Sequence, residues 1–347
     1  MLSQAENERV TRTAPGTPMG DTMRRYWIPV CLSSEVPEPD CPPLRQQLLN
    51  EQLVVFRDSN GRIGLLDARC PHRGASLFFG RNEECGLRCV YHGWKFDVPG
   101  NCVDMPNEPA ESNFKHKIKQ TAYPCQEMGG VVWAYMGPPE RMGPLTTMEW
   151  MRATPGHAYI CKHLNECNWV QVLEGGLDPI HAFFLHRIFA PGETYDQKMG
   201  GRARSAPRIE IHDTEYGYRS GSVYPTGDGQ KFVRITQFVM PFYQVRFTDN
   251  LEQGHMWVPI DDESCWVYNW IYRKDGEKLS MEDDILRAER RAGREPANTT
   301  EDFRFKQNRD NGYLLDRDIQ RNESMTGIYG IAPQDAAVQE SEGKIFD

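Results

Sequence analysis

Two short loops constrain this chain more than any other feature of its sequence: Cys70-Pro71-His72-Arg73-Gly74 and Cys89-Val90-Tyr91-His92-Gly93-Trp94. Each supplies one thiol and one imidazole from a tight turn, and residues 73–88 separate the two histidine-bearing halves. A fold built on this pattern must bring the two loops face to face around metal. A Cys2His2 set suits a structural zinc ion as well as an iron–sulfur centre. The C-x-H half is too short for the usual zinc-finger knuckle, which argues against zinc. The other eight cysteines, Cys31, Cys41, Cys85, Cys102, Cys125, Cys161, Cys167 and Cys265, have no repeating spacing and read as small buried hydrophobes.

With 347 residues the chain is long enough for two domains, each burying its own core. The first half is strand-rich. In LLNEQLVVFRDSNGRIGLLDARC, two apolar runs flank Asp58, Ser59, Asn60 and Gly61, which predicts a β-hairpin leading into Cys70. The texture changes after MGPPERMGPLT, a proline- and glycine-rich stretch without periodicity, so the expected domains are 1–143 and 144–347. In the second part ECNWVQVLEGGLDPIHAFFLHR mixes helical spacing with a Gly-Gly interruption. Strand-like segments then run from Arg208 to Tyr272, and SMEDDILRAERRAGR predicts a charged, mostly solvated helix. The net charge of -9 and pI near 5.6 exclude an extended basic nucleic-acid surface. No apolar run suggests a signal peptide or a membrane span, so a cytoplasmic protein that binds neither nucleic acid nor membrane is expected.

The loops C-P-H-R-G and C-x-Y-H-G-W resemble the Rieske cluster signature, in which two cysteines hold one iron and two histidines the other. That resemblance implies a [2Fe-2S] cluster on Cys70, His72, Cys89 and His92. Imidazole ligands raise the cluster potential, and the histidine side is expected to face outward. Val90 stands where the family commonly has proline, a position that is not a ligand.

A cluster alone would make an electron carrier, and the remaining residues need another role. The segment LDPIHAFFLH has the spacing D-x2-H-x4-H, which resembles the mononuclear iron motif of Rieske oxygenases. The resemblance implies His181 and His186 as iron ligands. It also implies Asp178 as a bridge toward His92 of the partner subunit. Asp178 before Pro179 is also an ordinary helix start. Residues five apart on a regular α-helix are separated by about 140° around the axis, so the two histidines can converge only if the backbone departs from a helix at Ala182 to Leu185. The segment QDAAVQES is similar to the C-terminal ligand stretch of the phthalate dioxygenase branch and points to Asp335 as the carboxylate ligand, with Asp316, Asp318 and Glu340 as competitors. Two imidazoles and one carboxylate on one face of Fe(II) leave positions open for oxygen beside substrate. The histidines His116, His157, His163, His212 and His255 lack partners at ligand spacing and receive no role.

The resemblance covers nearly the whole chain, from PMGDTMRRYWIPV to QDAAVQESEGKIFD, although family members usually continue with further helix past the ligand aspartate. It implies an α+β architecture: an N-terminal all-β Rieske [2Fe-2S] domain, then a catalytic domain with an antiparallel sheet flanked by helices. It also implies homotrimers or stacked trimers and a separate NAD(P)H-dependent reductase containing flavin and an iron–sulfur centre. The expected activity is aromatic ring-hydroxylating dioxygenation, with O2, of an aromatic carboxylate such as phthalate or another substituted benzoate, in aromatic hydrocarbon catabolism. The alternatives are mono-oxygenation or O-demethylation of a substituted benzoate, and pure electron transfer. A buried carboxylate calls for arginine, and Arg204, Arg208, Arg234 and Arg246 are the candidates, of which strand alternation lets only some point inward.

Overall fold

A computed structural model describes residues 2–194, 207–225, 230–248 and 250–346. The chain forms two compact units, one of Met1–Arg152 with Pro259–Asp261, the other of Ala153–Val258 with Asp262–Asp347. The class is α+β.

In the first unit two short helices, α1 (Gln4–Thr11) and α2 (Pro18–Met23), precede eleven strands: β1 (Trp27–Leu32), β2 (Leu44–Leu48), β3 (Glu51–Arg57), β4 (Ile63–Asp67), β5 (Arg81–Glu83), β6 (Gly86–Arg88), β7 (Lys95–Phe96), β8 (Cys102–Asp104), β9 (Ala122–Tyr123), β10 (Cys125–Met128) and β11 (Val131–Tyr135). They form three small antiparallel sheets, ordered β1-β11-β10, β2-β3-β4-β9 and β5-β6-β7-β8. The expected hairpin is β3–β4. Its turn closes on buried Asp58, whose Oδ1 accepts from the backbone of Asn60 at 3.0 Å and Arg62 at 2.8 Å, replacing bonds that the turn itself cannot make. One core holds Val54, Phe56 and Leu66 of the β2-β3-β4-β9 sheet together with Leu87 and Phe96 of the β5-β6-β7-β8 sheet, and Cys70 and Cys89 are packed into that same core.

The second unit is built on seven antiparallel strands: β12 (Ala158–Asn165), β13 (Arg208–Thr214), β14 (Gly217–Pro225), β15 (Lys231–Val239), β16 (Tyr243–Thr248), β17 (Leu251–Pro259) and β18 (Cys265–Arg273), in the order β12-β18-β17-β16-β15-β14-β13. Its helices are α3 (Trp169–Leu177), α4 (Arg287–Ala292), α5 (Arg317–Asn322) and α6 (Ile331–Ser341). The Gly-Gly pair does not interrupt α3, which runs straight through it. A β-carbon on Gly176 would lie 2.1 Å from the Trp257 ring, and one on Gly175 would lie 2.3 Å from Gln339 Nε2. The glycines therefore let α3 settle against β17 and α6 at a distance no other residue allows. Gln171 Nε2 then donates to the Gln339 carbonyl at 3.0 Å, tying α3 to α6. The charged helix begins as a π-helical turn, Met281–Leu286, capped by Ser280, and continues as α4 to Gly293. Arg287 and Arg290 pair with Asp283 and Glu282 on its solvated side. No helix among the described residues is long and apolar enough to cross a membrane.

Candidate active site

The two cysteine–histidine loops have the same construction. In the first, the Cys70 amide bonds to the Ala75 carbonyl and the Gly74 amide to the Cys70 carbonyl, each at 2.8 Å; in the second, the Cys89 amide bonds to Trp94 at 2.8 Å and the Gly93 amide to Cys89 at 2.9 Å. Both loops turn on a glycine in the left-handed region, Gly74 at φ 70° and Gly93 at φ 77°, where a side chain is strained. The arginine just before each cysteine clamps its loop: Arg69 Nη1 reaches the Gly74 carbonyl at 3.4 Å and Arg88 Nη1 reaches the Gly93 carbonyl at 2.8 Å. Cys70 and Cys89 are each 3% exposed, whereas His72 and His92 are half-buried and their neighbours Val90 and Tyr91 stand out into solvent. The imidazoles lie 4.4 Å apart by ring centroid, and His72 stacks on Trp94 at 4.4 Å and 9°.

This geometry separates the two metal readings. A single tetrahedral ion with bonds of about 2.0–2.3 Å would draw all its ligand atoms within roughly 4 Å of one another. Among the described residues, the set whose ligand atoms all come within 4.8 Å of one another is His181, His186 and Asp335, not the cysteine–histidine loops. Two sulfurs on one side and two imidazoles on the other fit a cluster with two separate irons. Burial pushes the Cys70 thiol up to about 11, so a thiolate there needs metal charge beside it.

In the second unit α3 stops at Leu177, and Asp178 turns the chain out in an extended conformation. Asp178 Oδ1 accepts from the Ile180 amide at 2.9 Å and Oδ2 from the His181 amide at 2.8 Å, starting a short 3-10 turn, His181–Phe183. The two histidines thus leave the α-helix, as their spacing requires, and their rings stand 5.3 Å apart at 84°. Asp335, one turn into α6, completes the group, with its Oδ1 3.2 Å from His186 Nε2 and 3.6 Å from His181 Nε2. The competing carboxylates are engaged elsewhere. Glu340 accepts from Tyr313 at 2.7 Å and pairs with Arg309; Asp316 caps α5; Asp318 is exposed in the first turn of α5.

Proton positions test whether this group fits a metal. Gln334 Nε2 donates to the Ile328 carbonyl at 2.7 Å, so its Oε1, 2.8 Å from His186 Nδ1, must accept, and the His186 proton sits on Nδ1. Asp178 Oδ2 lies 3.2 Å from His181 Nδ1 and likewise places that proton on Nδ1. Both Nε2 atoms then turn bare lone pairs toward the Asp335 carboxylate, whose buried Oδ1 has no hydrogen-bond partner. Three electron pairs converging on one point call for a cation. Burial lowers the His186 pKa, but Asp335 and Gln334 more than offset it and the net shift is upward, so a positive charge between His186 Nε2 and Asp335 is stabilised, whether a proton or a metal ion that replaces it. The donor set is that of a facial triad for Fe(II).

His181, His186 and Asp335 open onto a cavity of about 770 Å³. Strand alternation sorts the arginines. Arg246 lies opposite Thr236, so Arg246 and Arg234 share one face of the sheet, and both line the cavity. Arg208 lies opposite Val223 on the other face, exposed and paired with Glu210, and is not brought to the cavity. Arg204 lies outside the described residues. Sequence reasoning missed His163, His255 and Asn269, which come from three strands to line the same cavity. No local spacing announces such a group.

Comparison with known proteins finds two matching families along the chain. Residues 26–123 match the Rieske [2Fe-2S] domain, and residues 134–347 match the family described as LigXa C-terminal domain like. The chain is 38% identical to the phthalate 4,5-dioxygenase oxygenase subunit of Pseudomonas putida, covering 100% of this chain and 81% of that protein. It is 37% identical to the 3-chlorobenzoate-3,4-dioxygenase oxygenase subunit of Comamonas testosteroni, covering 100% and 83%. The crystal structure of dicamba monooxygenase bound to dicamba shares the fold, with a TM-score of 0.62 at 19% identity over 92% of this chain and 86% of that one. A [2Fe-2S] domain joined to a helix-flanked antiparallel sheet defines an iron-dependent redox enzyme. The chain belongs to the Rieske non-haem iron oxygenases, as a catalytic subunit of the phthalate dioxygenase group. Its cofactors are a Rieske [2Fe-2S] cluster and a mononuclear iron.

Proposed function

We propose that Cys70, His72, Cys89 and His92 hold the cluster, that His181, His186 and Asp335 hold the mononuclear iron, and that the enzyme dihydroxylates an aromatic carboxylate such as phthalate or another substituted benzoate. The observation that carries the substrate class is Arg246. Its buried Nε has no hydrogen-bond partner, and burial, followed by the nearby cations Arg234, Arg294 and Arg291, pushes its pKa down to about 10. A buried guanidinium with an unpartnered Nε suits a carboxylate, and Arg234 on the neighbouring strand adds a second cation. The names of the two relatives, phthalate and 3-chlorobenzoate dioxygenases, point to the same class.

When bound, the iron supplies oxygen activation beside the substrate. The chain does the rest. Asp178 and Gln334 hold the two imidazoles with Nε2 inward, Asp335 contributes negative charge at the same point, and Arg246 orients the ring by its carboxylate. Electrons enter through the outward-facing histidines of the first unit from a reductase containing flavin and an iron–sulfur centre. In a trimer, Asp178 accepts from His181 and from His92 of the partner subunit and so carries electrons across the subunit interface. We place the protein in the cytoplasm.

Turnover of a benzoate panel under labelled O2 tests the reading. Dioxygenation places two labelled atoms in one product, whereas mono-oxygenation or O-demethylation places one. Reduction of the cluster without any oxygenated product would leave electron transfer as the function.

A further inference from the structure

The cavity wall carries a second polar pole that the iron ligands do not use. His163, Asn269 and His255 sit on the adjacent strands β12, β18 and β17 and line the cavity. They form one chain of contacts, with His255 Nδ1 2.7 Å from Asn269 Oδ1 and Asn269 Nδ2 3.2 Å from His163 Nδ1.

Two end groups fix every proton along it. Arg294 Nη1 lies 3.3 Å from one terminal atom of the Asn269 amide, and a guanidinium has only donors, so that atom is the oxygen. The other terminal atom lies 3.0 Å from the Val267 carbonyl, which only accepts, so it is the nitrogen. Arg294 is itself locked by a buried ion pair with Glu289 at 2.7 Å. With the amide oriented, His255 Nδ1 must carry a proton to donate to Oδ1, and His163 Nδ1 must be bare to accept from Nδ2. Both rings are neutral: burial first, then Arg294 for His163 and Arg246 with Arg294 for His255, hold their pKa values well below the ordinary range. A neutral imidazole protonated on Nδ1 has only a lone pair on Nε2. Nδ1 being taken by Asn269, the ring nitrogen that cavity-lining His255 has left for a ligand is an acceptor and not a donor.

We propose that His255 is a specificity-determining residue that accepts a hydrogen bond from a ring substituent, so that the preferred substrates are benzoates bearing a hydroxyl or an amino group. This rests on the reading of the cavity as an aromatic carboxylate site: Arg246 takes the carboxylate and His255 takes the donor. A methoxy group at that position opposes lone pair to lone pair and leaves Nε2 unsatisfied. Asn269, Arg294 and Glu289 act as positioning residues by holding the ring in its acceptor form.

The test is calorimetric binding of benzoate and of each ring isomer of hydroxy-, amino- and methoxybenzoate to the iron-loaded protein. The best hydroxy or amino isomer is expected to bind about tenfold or more tighter than the methoxy compound of the same geometry. His255→Phe is expected to bring the two within about threefold, the remainder being shape rather than hydrogen bonding. Equal affinities in the unmutated protein overturn the proposal, and this comparison decides even where the variant does not fold. A preference that survives in His255→Phe also overturns it. If no benzoate binds at all, the aromatic carboxylate reading falls and this inference with it; if all bind alike, only the inference falls.

Discussion

Arg246→Met separates binding from stability in opposite directions. Arg246 lies in a half-buried position facing the cavity, its Nε is buried without a partner, and its pKa is depressed to about 10 by burial and by surrounding arginines. A drop of roughly two and a half decades in proton affinity, at about 1.4 kcal/mol per decade, corresponds to a folding cost on the order of 3 kcal/mol. Partial solvent access reduces this to about 1–3 kcal/mol. The sign follows from linkage: the folded state holds this proton less tightly than the unfolded chain, so the cost is fully present below about pH 10 and relaxes only as pH rises through that value. Methionine fills similar volume without charge. The substrate-free variant is therefore expected to melt higher, by roughly 2–4 °C for each kcal/mol recovered in a domain of this size. The same change removes charge-assisted hydrogen bonds of about 1.5–3 kcal/mol each and should weaken binding of the aromatic carboxylate roughly 10- to 100-fold. Thermal unfolding without ligand and calorimetric titration with benzoate check both arms. A variant that melts lower and binds benzoate normally would show that Arg246 is a structural cation, and the argument for the substrate class would fail.

Gln334→Leu removes the acceptor that fixes the His186 proton and should reduce mononuclear iron affinity about 10- to 100-fold while the visible cluster spectrum stays unchanged. Iron titration of the depleted protein measures it. Gly176→Ala places a β-carbon where the Trp257 ring stands and should destabilise the second unit by about 1–3 kcal/mol, read as a lower denaturation midpoint. Asp178→Asn keeps the shape but offers a single accepting oxygen, so it can keep only one of the two backbone bonds to Ile180 and His181. It should retain both metal centres yet slow cluster reoxidation in rapid mixing with substrate and oxygen; reoxidation at the unmutated rate would leave Asp178 as a turn residue only.

Legibility in the sequence followed how local each feature is. The Asp58 turn is complete within a few residues, so residue type and spacing were enough; the cysteine–histidine loops are as local, but reading them as a cluster signature needed the family resemblance. That the two histidines cannot share a regular helix was legible because angular geometry on a helix is fixed, but the expected bend at Ala182 to Leu185 was misplaced: α3 already ends at Leu177 and Asp178 turns the chain before His181. Choosing Asp335 over Glu340 needed the family resemblance, since both lie on α6 and only tertiary contacts show that Glu340 is engaged by Tyr313 and Arg309. Arg208 illustrates the converse. Its residue type fits a carboxylate site, but one step of strand parity puts it on the far face beside Glu210. The Gly-Gly pair read as an interruption because glycine disfavours helix; the close approach of Trp257 that requires it comes from β17, far along the chain and beyond any local pattern. His163, Asn269 and His255 were invisible for the same reason, because their chain of hydrogen bonds exists only once three strands pair.

Iron counting with a visible spectrum tests the central claim most directly. The reconstituted protein should hold about three irons per chain, two in the cluster and one in the mononuclear site. Asp335→Ala should lose about one iron and all oxygenation while the cluster spectrum is unchanged, and Glu340→Ala should lose no iron. Full iron content and turnover in Asp335→Ala, or collapse of the cluster spectrum together with the mononuclear iron, would contradict the two-centre account.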